Sequence, residues 1–177
     1  MSASPADGLI VRVAAPADAE ALARVHVESW RSAYRRLLPP DYLDALTVAA
    51  RTPRWRQRLR HVGPRESVVA AERDGVVVGF ASAGPSRDPD CDGRVSGELY
   101  AIYLLEHEWG RSTGRALHDA AIEALRDARF ADAMLWVLAA NERARRFYER
   151  QGWAADGTTK VESYGVRVTE VRYRRAL

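Results

Sequence analysis

Cysteine and lysine are almost missing from this chain: Cys91 and Lys160 are each the sole example in 177 residues. One thiol excludes an internal disulfide framework and an all-cysteine zinc site. The reducing cytoplasm is therefore the expected compartment. No apolar run reaches membrane-spanning length and no signal-peptide pattern is visible, so no membrane partner is expected. His26, His61, His107 and His118 lack metal-ligand spacing, and no metal site is expected. The run Asp88 to Gly93 (DPDCDG) imitates the opening of a calcium loop. Leu99 stands where the twelfth position needs Glu, and Pro89 is out of character, so the run reads as a polar loop. No repeat or low-complexity tract interrupts the chain. Residues 1–8 read as a loose tail and residues 9–177 as a single domain large enough to bury a core.

The charge is +3 and almost entirely arginine-borne on its basic side. Arg31 to Arg65 holds nine arginines against Asp41 and Asp44, a local +7, which leaves about −4 for the remainder. The preference for arginine over lysine runs through the whole chain and is compatible with genome composition. The stretch therefore reads as a solvated basic face that can attract phosphates or an acidic substrate, in preference to a nucleic-acid groove.

Periodicity supplies the elements. LIVRVA, Leu9 to Ala14, reads as a first strand, and Pro16 with Asp18 opens a helix. Ala23, Val27, Trp30 and Tyr34 lie on one helical face. Pro39-Pro40 ends that helix, and DYLDAL starts a short second one. Thr52-Pro53 predicts an N-cap followed by Pro at the first helical position, with Trp55, Leu59 and Val62 as an apolar stripe. SVVAAER and VVVGFASAG flank Asp74-Gly75, a strong hairpin signal. GELYAIYLL is the next strand. Leu117, Ala121, Leu125 and Ala128 mark the buried face of the following helix. Ala133 to Ala139 is a continuous apolar strand, as expected deep in a sheet. A helix from Asn141 ends at Gly152, and GWAADG and VTEVRYRRAL supply two last strands. Hairpins mixed with crossovers predict an α/β fold with a partly open sheet.

The stretch Leu99 to Leu117, LYAIYLLEHEWGRSTGRAL, carries the strongest functional signal. A strand runs into a polar turn and then directly into a helix. The first turn of a helix holds amide donors with no partner, and the macrodipole adds positive character there. Gly110 and Gly114 let the backbone approach a bulky anion, and Arg111 and Arg115 add charge beside it. The spacing is neither a P-loop nor a dinucleotide fingerprint.

This loop, Trp109-Gly110-Arg111-Ser112-Thr113-Gly114, resembles the acyl-CoA loop of the GNAT N-acetyltransferase superfamily, Gln/Arg-x-x-Gly-x-Gly/Ala. Trp109 replaces the usual first residue and Ser112 the middle glycine. NERARRFYERQGW, Asn141 to Trp153, is similar to the family's Asn-x-x-Ala-x-x-Phe/Leu-Tyr-x-x-x-Gly-Phe signature at Asn141, Ala144, Tyr148 and Gly152, with Trp153 for Phe. The resemblance spans about Val11 to the C-terminus. It implies a mixed sheet of about seven strands with splayed central strands, flanked by about four helices, in a GNAT-like acyltransferase domain over residues 9–177.

The resemblance also implies a function: acetyl transfer from acetyl-CoA, as co-substrate, directly to a primary amine of a small molecule or peptide. Ile102, Tyr103 and Leu104 would hold pantetheine and the acetyl carbonyl through their backbone. Residues Trp109 through Arg115 (including Thr113) would hold phosphates, and Asn141 would contact pantetheine amides or cap its helix. Tyr148 would bind the cofactor and protonate the departing thiolate, since a phenol keeps its proton at neutral pH. Glu98 is the candidate base. Trp30 and Tyr34 could line the acceptor site, with helix packing as the plainer alternative, and Tyr164 sits in a late loop, KVESYGV. Homodimers are common in the family. A non-catalytic acyl-CoA-binding sensor and a nucleic-acid binder using the Arg31–Arg65 surface are the competing readings.

Overall fold

A computed structural model describes residues 8–177. The expected tail lies outside the described residues except for Gly8, whose carbonyl accepts from the Asp74 amide at 3.4 Å. Seven strands form one sheet: β1 (Leu9–Val13), β2 (Ser67–Arg73), β3 (Val76–Pro85), β4 (Ser96–Leu104), β5 (Asp132–Leu138), β6 (Ala154–Ser163) and β7 (Arg167–Ala176), in the order β1-β2-β3-β4-β5-β7-β6. Only β4 and β5 pair in parallel; the other neighbours are antiparallel. Asp74 (φ +51°) and Gly75 (φ +80°) make the β2–β3 turn, whose positive φ values match the twist of the two strands.

Five α-helices flank this sheet, one more than expected: α1 (Ala19–Tyr34), α2 (Pro40–Asp44), α3 (Val48–Arg60), α4 (Thr113–Asp127) and α5 (Glu142–Arg150). The helices α1 and α3 cover one face, where Trp55 meets Phe80 edge-on at 4.7 Å between ring centroids. On the other face α4 packs with Leu117, Ala121 and Leu125 buried. At Gly79 an added Cβ would stand 2.9 Å from Leu117, so this strand position has room only for glycine against the helix.

Three expectations need correction. The cap of α3 is Thr47, not Thr52: Thr47 is extended and its hydroxyl accepts from the Ala50 amide at 3.3 Å. Thr52 turns its hydroxyl back onto the Val48 carbonyl at 2.9 Å, and Pro53 lies inside the helix. The extra turn packs Val48 against the core, which offsets the hydrogen bond that Pro53 cannot donate. The helix ends at Arg60, so Val62 falls outside it and is exposed while Trp55 and Leu59 are buried. The segment around Lys160 to Ser163 is strand β6 rather than loop, and only Tyr164 to Val166 form the turn into β7. There β6 runs well beyond the short GWAADG segment, because its pairing with β7 resumes at Thr159 after a register shift.

Candidate active site

The parallel pairing of β4 and β5 is short. Ser96, Gly97 and Glu98 oppose Asp132, Ala133 and Met134, and beyond them the strands separate. The outer edges stay paired, β4 to β3 through Leu104 and β5 to β7 through Leu138. From Leu99 onward β4 therefore presents an unpaired backbone edge inside the molecule. Amides and carbonyls so placed require partners, which an extended ligand can provide. The gap opens into a cavity of about 540 Å³.

One extra residue in β4 decides which side chains face each side of this gap. Ala83 opposes Leu99 but Ser82 opposes Ala101, so Tyr100 is a bulge. The alternation changes phase there. Tyr103 consequently shares the α1 face with Phe80, their ring centroids 5.6 Å apart, and Leu104 lies on the α4 face near Gly79 and Gly114. The bulged Tyr100 hydroxyl donates to the Pro85 carbonyl at 2.7 Å.

At the far end of β4 the chain turns through Gly110, whose φ of +78° favours glycine, and enters α4. Ala116 is the first α4 residue whose amide closes a helical bond, to the Ser112 carbonyl at 2.9 Å; the first-turn amides before it are donors without a helical acceptor. The Ser112 side chain makes no cap bond. Below the loop Glu108 is buried, with Arg73 Nε and Nη2 donating to its two oxygens at 3.0 Å each and the Thr113 hydroxyl donating as well. Burial works against the Glu108 charge, but Arg73 and Thr113 outweigh it and hold the carboxyl below its usual range.

Most expected site residues line the one cavity: Ile102, Tyr103 and Leu104 from β4; Trp109, Gly110, Arg111, Gly114 and Arg115 from the loop; Asn141 and Tyr148 from the α5 segment. Glu98, Trp30 and Tyr34 line it too. Ser112 and Thr113 do not, and the Thr113 side chain is committed to Glu108. Asn141 caps α5, its Oδ1 accepting from the Ala144 amide at 3.2 Å. Burial, followed by the neighbouring Tyr103, pushes the Tyr148 phenol far above its usual range. Glu98 is not a solvated strand-end residue: it is buried, accepting from the Arg87 amide at 2.9 Å and its Nη2 at 2.8 Å.

The α1 side of the cavity is aromatic. Trp30 stands edge-on to Tyr34 at 5.0 Å and to Tyr164 at 5.6 Å. Burial first, then Tyr103 and Tyr148, push the Tyr34 phenol up. Sequence reasoning missed Glu170 on β7, which is buried in the cavity wall. Its oxygens take the Tyr164 hydroxyl at 3.1 Å and pair with Lys160 Nζ at 3.2 Å. Trp136 was also missed; it carries Lys160 over its ring at 4.6 Å and donates its Nε1 to Asp88 at 3.0 Å. The signal for both was strand alternation, readable only once the register was known. The polar loop at Asp88 to Gly93 is engaged in protein contacts, with Asp88 and Asp90 each 3.4 Å from Arg172 and Asp92 paired with Arg94.

A family model described as acetyltransferase (GNAT) family matches residues 25–153, which include both motifs and the splayed strands. The chain belongs to the GNAT acetyltransferase family. The uncharacterized N-acetyltransferase YuaI of Bacillus subtilis (strain 168) is 38% identical over 162 residues, covering 91% of this chain and 89% of that protein. PaiA N-acetyltransferase from Thermoplasma acidophilum, crystallised with coenzyme A, has a similar fold: TM-score 0.75, 16% identity, 96% of this chain and 99% of that one. YncA from Salmonella typhimurium, crystallised with acetyl-CoA, matches with TM-score 0.72 and 18% identity over 96% and 94% of the two chains.

Proposed function

We propose that this GNAT protein transfers an acetyl group from acetyl-CoA directly to a primary amine of a small molecule or peptide. The unpaired edge of β4, with the open amides of α4 at one end and Tyr148 beside it, carries this reading. Pantetheine is an extended chain of amides and suits a strand edge that lacks a neighbour. Helix N-terminal amides suit the diphosphate. Acetyl-CoA supplies the thioester. Solved relatives of the same fold that hold coenzyme A or acetyl-CoA support the assignment.

Each chemical demand has a candidate group. An amide of the β4 edge, from Ile102 to Leu104, polarises the carbonyl oxygen as charge develops there. Glu98 takes the proton of the incoming ammonium, directly or through water, once Arg87 has moved aside. The Arg87 side chain is mostly exposed, and that movement breaks its ion pair with Glu98 and its stacking on the Tyr100 ring, 3.8 Å from the centroid. The amine nitrogen bonds to the carbonyl carbon, the carbon–sulfur bond breaks, Tyr148 gives its proton to the thiolate, and the second proton, shed by the acylated nitrogen, passes through water to restore the phenol. A phenol held protonated by burial is suited to that last step. Trp30, Tyr34 and Tyr164 would pack around the acceptor.

Calorimetric titration with acetyl-CoA and with CoA tests the reading, followed by thiol release over a panel of amines. Micromolar binding with thiol release for at least one amine is expected. Absence of binding to either ligand sinks the proposal. A second reading, a sensor that binds acyl-CoA without turnover, is favoured by one observation: Arg87 closes on Glu98. It predicts binding with no thiol release on any amine.

A further inference from the structure

We propose that Arg143 is a phosphate-binding residue of this site, that Trp109 holds it in place, and that its ligand is the diphosphate of coenzyme A. The inference rests on the acetyl-CoA reading above. The loop's own arginines are already engaged: Arg111 lies 3.6 Å from Glu108, and Arg115 lies 3.6 Å from Asp119. At the other end of the cavity Arg87 pairs with Glu98 and Lys160 with Glu170. Among the described residues, the cavity-lining cations with no carboxylate in salt-bridge range are Arg143 and Arg150. Of these two, only Arg143 has an aromatic platform.

That platform is Trp109. The Arg143 guanidinium lies over its ring, 3.1 Å from the centroid, and the indole Nε1 points back to the Leu104 carbonyl at 3.4 Å. The ring is thereby tied to the end of the β4 edge, and the guanidinium crosses from α5 to the loop that precedes α4. Arg143 is otherwise exposed. Stacking uses the face of a guanidinium and leaves its N–H edge free, and that edge forms a fork suited to paired phosphate oxygens. Both arms of the splay then contribute to one anion site: amides from the start of α4, and a guanidinium from the start of α5. The tryptophan at the head of the loop has a purpose on this view. It replaces a direct contact by a platform for a charge supplied from elsewhere.

The test is calorimetric titration of the full chain with CoA and with dephospho-CoA, which lacks the 3′-phosphate. Wild type is compared with Arg143→Gln, Arg143→Lys, Trp109→Ala, Trp109→Phe and the Arg143→Gln/Trp109→Ala double variant. Loss of a charge-assisted bond to phosphate predicts an affinity about 10- to 100-fold lower for Arg143→Gln. The loss should be the same for both ligands. Trp109→Phe keeps a platform and should bind close to wild type, whereas Trp109→Ala should lose most of what Arg143→Gln loses. The double variant should lose little more than the worse single one, since the two residues act as a unit. Arg143→Lys should fall between. Arg143 is exposed, so its variants should melt with wild type. Equal CoA affinity for Arg143→Gln and wild type overturns the proposal. A loss that vanishes with dephospho-CoA moves the contact to the 3′-phosphate and overturns the diphosphate assignment. Wild type that binds neither ligand overturns the acetyl-CoA reading itself, and the inference with it.

Discussion

The two sides of the β4–β5 gap are built by different means. The α4–α5 side is largely backbone: helix amides, a glycine at positive φ and an unpaired strand edge. Its parts come from two short contiguous segments. The α1 side is almost entirely side chain. Trp30 and Tyr34 come from α1, Tyr103 from β4, Tyr164 from a turn, and Glu170 from β7, positions spread over 140 residues of sequence. A fixed ligand such as a nucleotide carrier can be met by backbone, because backbone geometry does not change with residue identity. A varied ligand needs side chains. Under the proposed acetyl transfer, the α1 side would be the seat of acceptor choice and the α4–α5 side the seat of the common step.

The sharpest break in that comparison is at Tyr148. Replacing it with Phe should lower kcat about 10²- to 10³-fold, as removal of a general acid does. The Kd for CoA should stay within about threefold, since the ring remains. A kcat that stays within a few-fold of wild type across pH would remove its acid role. The brace beneath the loop is next. Glu108→Gln breaks a buried ion pair and should cost about 3 kcal/mol in urea unfolding, together with weaker CoA binding. A cost under about 1 kcal/mol would mean the loop does not depend on this carboxylate.

The same division explains what was legible in the sequence. The Asp74-Gly75 turn, the open helix start after Gly110 and the Asn141 cap are local devices, and each stands where the residues placed it. The Thr47 cap was misplaced by one turn because Thr52-Pro53 carries the same local signal. The turn that starts at Thr47 brings the partly buried Val48 against the core, a tertiary contact that the local signal does not carry. The Tyr100 bulge has no signature in its own strand, yet it sets which face Tyr103 joins. Arg87 meets Glu98 only because β3 and β4 pair antiparallel, and Lys160 meets Glu170 only through the β6–β7 register. Contacts that depend on register cannot be read before the register is known.

His26 sharpens the comparison from beneath the α1 side. Its ring packs against Trp30, Trp55, Phe80 and Tyr103, and neither nitrogen has a hydrogen-bond partner. Burial, helped by Arg51, lowers its pKa to about 3. The folded value lies below the unfolded one, so the neutral ring contributes fully above pH 6.5. Below that the unfolded chain takes the proton first, and the contribution is lost as pH falls toward 3. His26→Phe should therefore retain about 2 kcal/mol more stability at pH 5 than wild type does, each measured against its own value at pH 7. Some slope should remain, because His118 is also lowered by burial, with Asp119 opposing. Parallel pH profiles for the two proteins would show that the ring is not held neutral by the fold.

The smallest expected effect separates the two sides most directly. Glu170 is a buried carboxylate in the cavity wall, bonded by the Tyr164 hydroxyl and paired with Lys160. Its charge raises the Tyr103 phenol, after burial itself and against the opposing pull of Trp30, Tyr34 and Arg51, so its field reaches the centre of the gap. An ammonium entering beside Trp30 would feel that field. Glu170→Gln keeps the shape and one acceptor oxygen while removing the charge. With whichever amine shows turnover, KM for the amine should rise about tenfold, the scale of one charged contact weakened to a neutral one. The CoA affinity should not move, because Glu170 lies with the acceptor aromatics rather than with the α4 amides. A parallel loss in both ligands would mean that the variant has disturbed the β6–β7 pairing as a whole, and Glu170 would then be a support of the fold. A selective loss on the amine places acceptor choice on the side chains that only the folded register brings together.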